Sequence, residues 1–275
     1  MSVSITLNRE TFGQGESLSL IHGWGAQNAV WREWAHSHLA PHFTVTLIEL
    51  PGFGDSPKIE LPKDLTNATD KATHLNQAWL SALLDALPQK THLLGWSLGG
   101  LMAQQLALQA PQQVSSLICL ATTPRFVQTE GWKWAVTPEL MADFIKALGL
   151  DSWALLSRFW KLQLQGSDGA RQLIKHLTTQ MQGRKIPSFS ALVQGLELLR
   201  DIDMRNHLHE LHQPTLWLLG EKDPLIPHDL AAQLAVLQPQ AQVEMVAGAA
   251  HVPFMSHPEQ CAQIIKDFLL NDSTV

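Results

Sequence analysis

Long apolar runs, cysteine and basic charge are all scarce in this chain, and each shortage removes a class of protein. No stretch approaches the ~20 consecutive apolar residues that a bilayer-spanning helix needs, although 45% of the 275 residues are hydrophobic. The first ten residues have neither the basic start nor the apolar run of a secretory signal. No membrane partner is therefore expected, and the cytoplasm is the expected compartment. The two cysteines, Cys119 and Cys261, fall in a predicted strand and a predicted helix; they suggest no disulfide framework and read as small buried hydrophobes. A formal net charge of -6 speaks against nucleic acid as a partner of the whole protein. Repeats and low-complexity tracts are absent. Gly52-Phe53-Gly54 has neither the Lys-Ser/Thr of a P-loop nor the full G-x-G-x-x-G pattern. His36, His38 and His42, and likewise His207, His209 and His212, stand without a cysteine or an H-E-x-x-H motif. No metal and no other cofactor is expected.

What is present is enough chain for one large core, with β and α patterns in alternation. Residues 17–21, 43–50, 91–96, 114–120, 215–219 and 242–247 read as strands, and residues 2–17 could add one or two more around the Gly13-Gln14-Gly15 turn. Residues 29–39, 66–87, 229–237 and 259–270 have helical spacing. That rhythm predicts an α/β fold with a mostly parallel central sheet and helices on both faces. From about residue 122 to 205 the rhythm lapses into amphipathic segments carrying Trp132, Trp134, Phe144, Trp153, Phe159, Trp160 and Phe189. The expected division is a core of residues 1–121 and 206–275, with residues 122–205 inserted as a helical cap.

The chain is organised around Gly95-Trp96-Ser97-Leu98-Gly99, which ends a predicted strand and opens a predicted helix. Such a corner is strained, so its flanking positions must be small, and it exposes a serine hydroxyl at a helix N-terminus. A serine attacks an ester at neutral pH only with a base in reach and a third group to orient that base. The expected order is serine, acid, histidine. Asp223 follows the apolar strand Leu216-Trp217-Leu218-Leu219, and His251 follows the next strand, so both belong at the sheet edge that carries Ser97. Glu221 and His257 lie nearby but are offset, and read as surface or capping residues. The oxyanion needs two N–H donors: the amide of Leu98, after the serine, and that of Trp24, in the loop His22-Gly23-Trp24-Gly25.

With these residues in view the chain resembles the α/β-hydrolases over its whole length. More narrowly it resembles the pimeloyl-acyl-carrier-protein methyl ester esterase family of biotin synthesis. The likeness rests on Leu20-Ile21-His22-Gly23-Trp24-Gly25, Leu50-Pro51-Gly52-Phe53-Gly54, the Trp-flanked elbow, Gly195-Leu196-Glu197-Leu198-Leu199 and Ala250-His251-Val252-Pro253-Phe254. It implies a serine carboxylesterase that releases methanol, acting on an acyl-carrier-protein partner. It places Arg158, Arg171 and Lys175 among the carrier contacts, and Phe159 and Gln163 on the acyl-chain wall. Ala154 falls where relatives can carry another arginine. Independently of the resemblance, residues 146–185 hold seven basic and two acidic side chains, a positive region suited to an acidic partner. The protein is expected to be a monomer. A broad short-chain esterase or a carbon–carbon bond hydrolase with the same triad stays open, because fold does not fix substrate.

Overall fold

The structure is a computed structural model and describes residues 5–65 and 67–271. The expected strand start at Ser2 and helix start at Thr66 lie outside these residues. Seven strands, β1 (Arg9–Gly13), β2 (Glu16–Ile21), β3 (Phe43–Ile48), β4 (Thr91–Trp96), β5 (Val114–Leu120), β6 (Thr215–Gly220) and β7 (Gln242–Val246), form one sheet in the order β1-β3-β2-β4-β5-β6-β7. Only β1 runs antiparallel, along β3; the other neighbours are parallel. The central strands are continuous apolar runs such as Leu117-Ile118-Cys119-Leu120 and Leu216-Trp217-Leu218-Leu219, all buried. This is the pattern of strands covered on both faces.

The helices are α1 (Ala29–His38), α2 (Ala68–Ala86), α3 (Leu98–Gln109), α4 (Pro138–Leu150), α5 (Ser152–Leu164), α6 (Ala170–Met181), α7 (Phe189–Asp201), α8 (Leu230–Leu237), α9 (Pro253–Ser256) and α10 (Pro258–Asn271). One flanking layer pairs α1 with α10, and the other pairs α2 with α3. β5 and β6 are adjacent in the sheet, yet the chain between them carries α4 to α7. Side-chain caps start three of these four helices: Thr137 accepts from Leu140 N–H, Asp151 from Ala154 N–H and Ser188 from Ala191 N–H. Pro138 at the first turn of α4 adds a pre-set φ. Within this layer α5 packs on α4 and α6, while α7 bridges α4 to α2 and α3 of the body.

Cys119 in β5 and Cys261 in α10 are free and buried. Burial pushes the Cys261 thiol up to about 12 and that of Cys119 well above the ordinary thiol range. Among the described residues no helix is long and apolar enough to cross a membrane.

Candidate active site

Ser97 joins β4 to α3 with φ 55° and ψ -119°, a left-handed conformation that side chains rarely adopt. Two glycines make the corner possible. A Cβ on Gly95 would lie 2.3 Å from the Gly99 carbonyl oxygen, and one on Gly99 would lie 2.2 Å from that of Ile21. The end of β5 and the loop after it hold the serine in place: its N–H donates to Leu120 O at 3.0 Å and its carbonyl accepts from the Thr122 hydroxyl at 2.8 Å.

The three side chains expected to meet do so at the C-terminal ends of the strands. Ser97 Oγ lies 2.9 Å from His251 Nε2, and His251 Nδ1 lies 2.7 Å from Asp223 Oδ2. The other Asp223 oxygen accepts from the N–H groups of Leu225 and Ile226, at 2.8 and 3.0 Å, which fixes the carboxylate plane. All three residues are buried, so the contacts act where water screens them little. The arrangement is a hydroxyl, an imidazole that can take its proton and a carboxylate that orients the imidazole. Glu221 accepts from Gly248 N–H and His257 Nδ1 contacts the Ser256 hydroxyl, so both lie outside this relay.

Opposite the serine, Gly23 packs so closely that a Cβ there would sit 3.0 Å from Ser97 Cβ. Residues 23–26 form a turn closed by Ala26 N–H to Gly23 O at 3.3 Å, with Gly25 at φ 73°. Trp24 is the second residue of that turn, and Leu98 is the first residue of α3, where the N–H has no partner within the helix. His22 anchors the loop from below. Its Nδ1 faces Gly23 O at 2.8 Å, and its Nε2 accepts from Leu50 N–H at 3.2 Å. Full burial holds this imidazole neutral, with its pKa lowered to about 4. Glu49 ties down the next loop by accepting from Asp55 N–H and the Asn8 amide, at 2.7 and 2.8 Å.

Above Ser97 lies a cavity of about 40 Å³ bounded by Trp24, Phe126, Met141, Phe144, Phe159 and Leu225, among other apolar side chains. It is far below the several hundred Å³ of an ordinary ligand pocket. Phe159 and Ser97 line this same cavity. Gln163 does not border this cavity; it is buried one turn further along α5, and its backbone carbonyl accepts from His251 N–H at 3.0 Å. Leu140 and Phe144 also line a second groove of about 790 Å³ between α4, α5 and α6, edged by Asp143, Lys146, Arg158 and Lys161. Arg171 and Lys175 are exposed on α6 but do not line that groove. Among the described residues none of Arg158, Arg171 and Lys175 makes an ion pair, and no group of three or more His, Cys, Asp or Glu could hold a metal ion.

Sequence reasoning missed how the loops are clamped. The indole N–H of Trp160, on α5, donates to Gly25 O at 2.9 Å, and that of Trp24 donates to Leu192 O on α7 at 2.9 Å. Gly195 of α7 abuts the Trp24 ring, where a Cβ would lie 2.6 Å from Cδ1. The only signal was indirect: aromatic residues in the inserted segment and a glycine inside an otherwise regular helical pattern.

Residues 17–258 match the family model described as alpha/beta hydrolase fold. The pimeloyl-[acyl-carrier protein] methyl ester esterase of Aeromonas salmonicida is 39% identical over 98% of this chain and 100% of its own length. The protein of that name from Photobacterium profundum is 40% identical over 94% of this chain and 97% of its own. Among solved structures, an esterase from Exiguobacterium antarcticum superposes with a TM-score of 0.78 at 22% identity, covering 98% of this chain and 99% of that one, a likeness of fold alone. The chain therefore belongs to the alpha/beta hydrolase fold family and, within it, to the family of the pimeloyl-[acyl-carrier protein] methyl ester esterases.

Proposed function

We propose that this protein is a serine carboxylesterase that hydrolyses the methyl ester of pimeloyl-acyl-carrier protein, releasing methanol in biotin synthesis. The relay from Ser97 through His251 to Asp223 carries the reading, together with relatives of that name over almost the whole chain. Ser97 Oγ attacks the ester carbonyl carbon while His251 Nε2 takes its proton, and Asp223 steadies the resulting imidazolium. The negative oxygen of the tetrahedral intermediate is received by the backbone N–H groups of Trp24 and Leu98. Collapse expels the methoxy group, which takes the proton from His251 and leaves as methanol. Water, deprotonated by the same histidine, then attacks the acyl-serine and regenerates the hydroxyl.

On this reading residues 122–205 act as a cap over a core of residues 1–121 and 206–275. The cap shifts to admit the acyl chain, because the cavity of about 40 Å³ has room for little more than water. Phe159 and Gln163 serve the acyl side of the site, and Arg158, Arg171 and Lys175 receive the acidic carrier. The protein works as a monomer in the cytoplasm, without nucleic acid or membrane. The test is methanol release from pimeloyl-carrier-protein methyl ester beside free monomethyl pimelate. The expected result is a clear preference for the carrier-bound ester, lost in Ser97→Ala; turnover retained in Ser97→Ala would refute the assignment.

A further inference from the structure

A single helix of the inserted layer touches the loops that carry both halves of the site. From α5, the Trp160 indole N–H reaches the Gly25 carbonyl at 2.9 Å and the Gln163 carbonyl receives His251 N–H at 3.0 Å. Just beyond α5, Asp168 donates its N–H to Gly248 O at 3.1 Å, and its carboxylate accepts from Lys222 Nζ at 2.9 Å, beside Asp223. Of these contacts the one made by Trp160 bears on the oxyanion donors. The turn that presents the Trp24 amide is closed internally by a long hydrogen bond of 3.3 Å, and its third residue is Gly25, at φ 73°. Glycine has the broadest choice of backbone conformation, so a turn pivoting on it is oriented largely from outside. Trp160 is 4% exposed, and Leu156 and Phe159 also pack on Gly25. A buried carbonyl robbed of its donor would turn to find another.

We propose that Trp160 is a positioning residue for the oxyanion hole. Its indole N–H fixes the Gly25 peptide and, through the turn, aims the Trp24 amide. The inference rests on the esterase reading above and adds to it a coupling: the hole is fully assembled only when α5 is seated on the loop. A layer displaced to admit substrate therefore leaves the hole incomplete until it closes again.

The experiment compares wild type, Trp160→Phe, Trp160→His and Ser97→Ala on p-nitrophenyl butyrate, with Tm recorded for each. Affinity for a trifluoromethyl ketone, whose serine adduct carries the oxyanion, is measured alongside. Trp160→Phe keeps an aromatic ring and loses the N–H. It is expected to lower kcat about ten-fold, below the 10²–10³ typical of deleting a donor outright. KM should stay within about two-fold and ketone affinity should drop by the same factor as kcat, as expected for an interaction made in the transition state. Trp160→His, which keeps a ring N–H, should recover part of the loss. If Trp160→Phe does not fold, β-(3-benzothienyl)alanine at position 160 keeps the shape of tryptophan without its N–H and takes the same measurements. Unchanged kcat and ketone affinity in a folded variant lacking the N–H would overturn the proposal. So would equal losses in the Phe and His variants that simply follow Tm. An inactive Ser97→Ala beside a fully active Trp160→Phe would sink the positioning role alone, whereas an active Ser97→Ala would sink the esterase reading.

Discussion

Ser97 holds its backbone in a region that costs a non-glycine residue about 1–3 kcal/mol, and the surroundings must over-determine it. The Gly99 position shows how tightly they do so. An added Cβ would meet the Ile21 carbonyl oxygen at 2.2 Å and that of His22 at 2.6 Å, both backbone atoms of the strand and loop beneath. Gly99→Ala should therefore move α3 away from β2, lowering Tm by several degrees and abolishing ester hydrolysis; a soluble variant with wild-type Tm and activity would contradict this. His22 makes a second residue-scale prediction, through pH. Its ordinary pKa is 6.5 and the folded protein lowers it to about 4 by burial. Between those values the unfolded chain binds a proton that the folded chain refuses, so stability falls as pH drops through this window. The difference amounts to about 3 kcal/mol. Protonation would also place an N–H at Nε2 against the Leu50 N–H that now donates to it. Denaturant midpoints measured from pH 7 to pH 4.5 should fall for wild type and fall less steeply for His22→Gln. Equal slopes for the two proteins would remove His22 as the cause.

At the scale of elements, sequence reading succeeded where one local signal decided the matter. Apolar runs mark β4 to β6 because strands buried on both faces need no polar side, and β4 and β5 span the same residues that the sequence predicts. Ser97, Asp223 and His251 were legible for a related reason: each follows a strand end, and parallel strands bring their C-terminal ends to one edge. Hydrogen bonds between distant helices and loops leave no such trace. Nothing local distinguishes Trp160, which reaches Gly25, from Trp153, which is 45% exposed two turns earlier on α5. Gln163 likewise contributes a backbone carbonyl, and a backbone atom has no sequence signature. Gly195 illustrates the same limit, since in a helix it reads only as a weak former. Its function is spatial, letting α7 approach the Trp24 ring while Trp24 Nε1 bonds to Leu192 O. Gly195→Ala improves helix propensity by about 0.5–1 kcal/mol, yet its Cβ would meet Cδ1 of a ring that is pinned at its nitrogen. The expected outcome is a fall in both Tm and kcat on p-nitrophenyl butyrate. A gain in Tm at unchanged kcat would mean that α7 yields without moving the loop.

Across the whole molecule the charge distribution opposes the net charge. A protein of net charge -6 carries seven basic and two acidic side chains in residues 146–185, and these fall in the α4 to α7 segment between β5 and β6. Arg158 edges the groove beside the cavity wall, while Arg171 and Lys175 lie exposed on α6. On the proposed reading, an acidic partner would be repelled by the rest of the surface and drawn toward this segment, which would orient encounter before contact. Exposed charges act over a screening length of about 8 Å at physiological ionic strength, so the attraction should be salt-sensitive. For turnover of a carrier-bound methyl ester, kcat/KM is expected to fall by roughly ten-fold as salt rises from about 0.05 to 0.5 M, mostly through slower association. A small ester, which has no charge to steer, should show little change. Reversing Arg171 and Lys175 to glutamate should lower kcat/KM for the carrier substrate at low salt and flatten its salt dependence, leaving the small ester untouched. Adding Arg158→Glu, at the groove itself, should deepen the loss. An equal loss on both substrates would point to damaged folding, and an unaltered salt slope in the triple variant would remove these cations from carrier recognition.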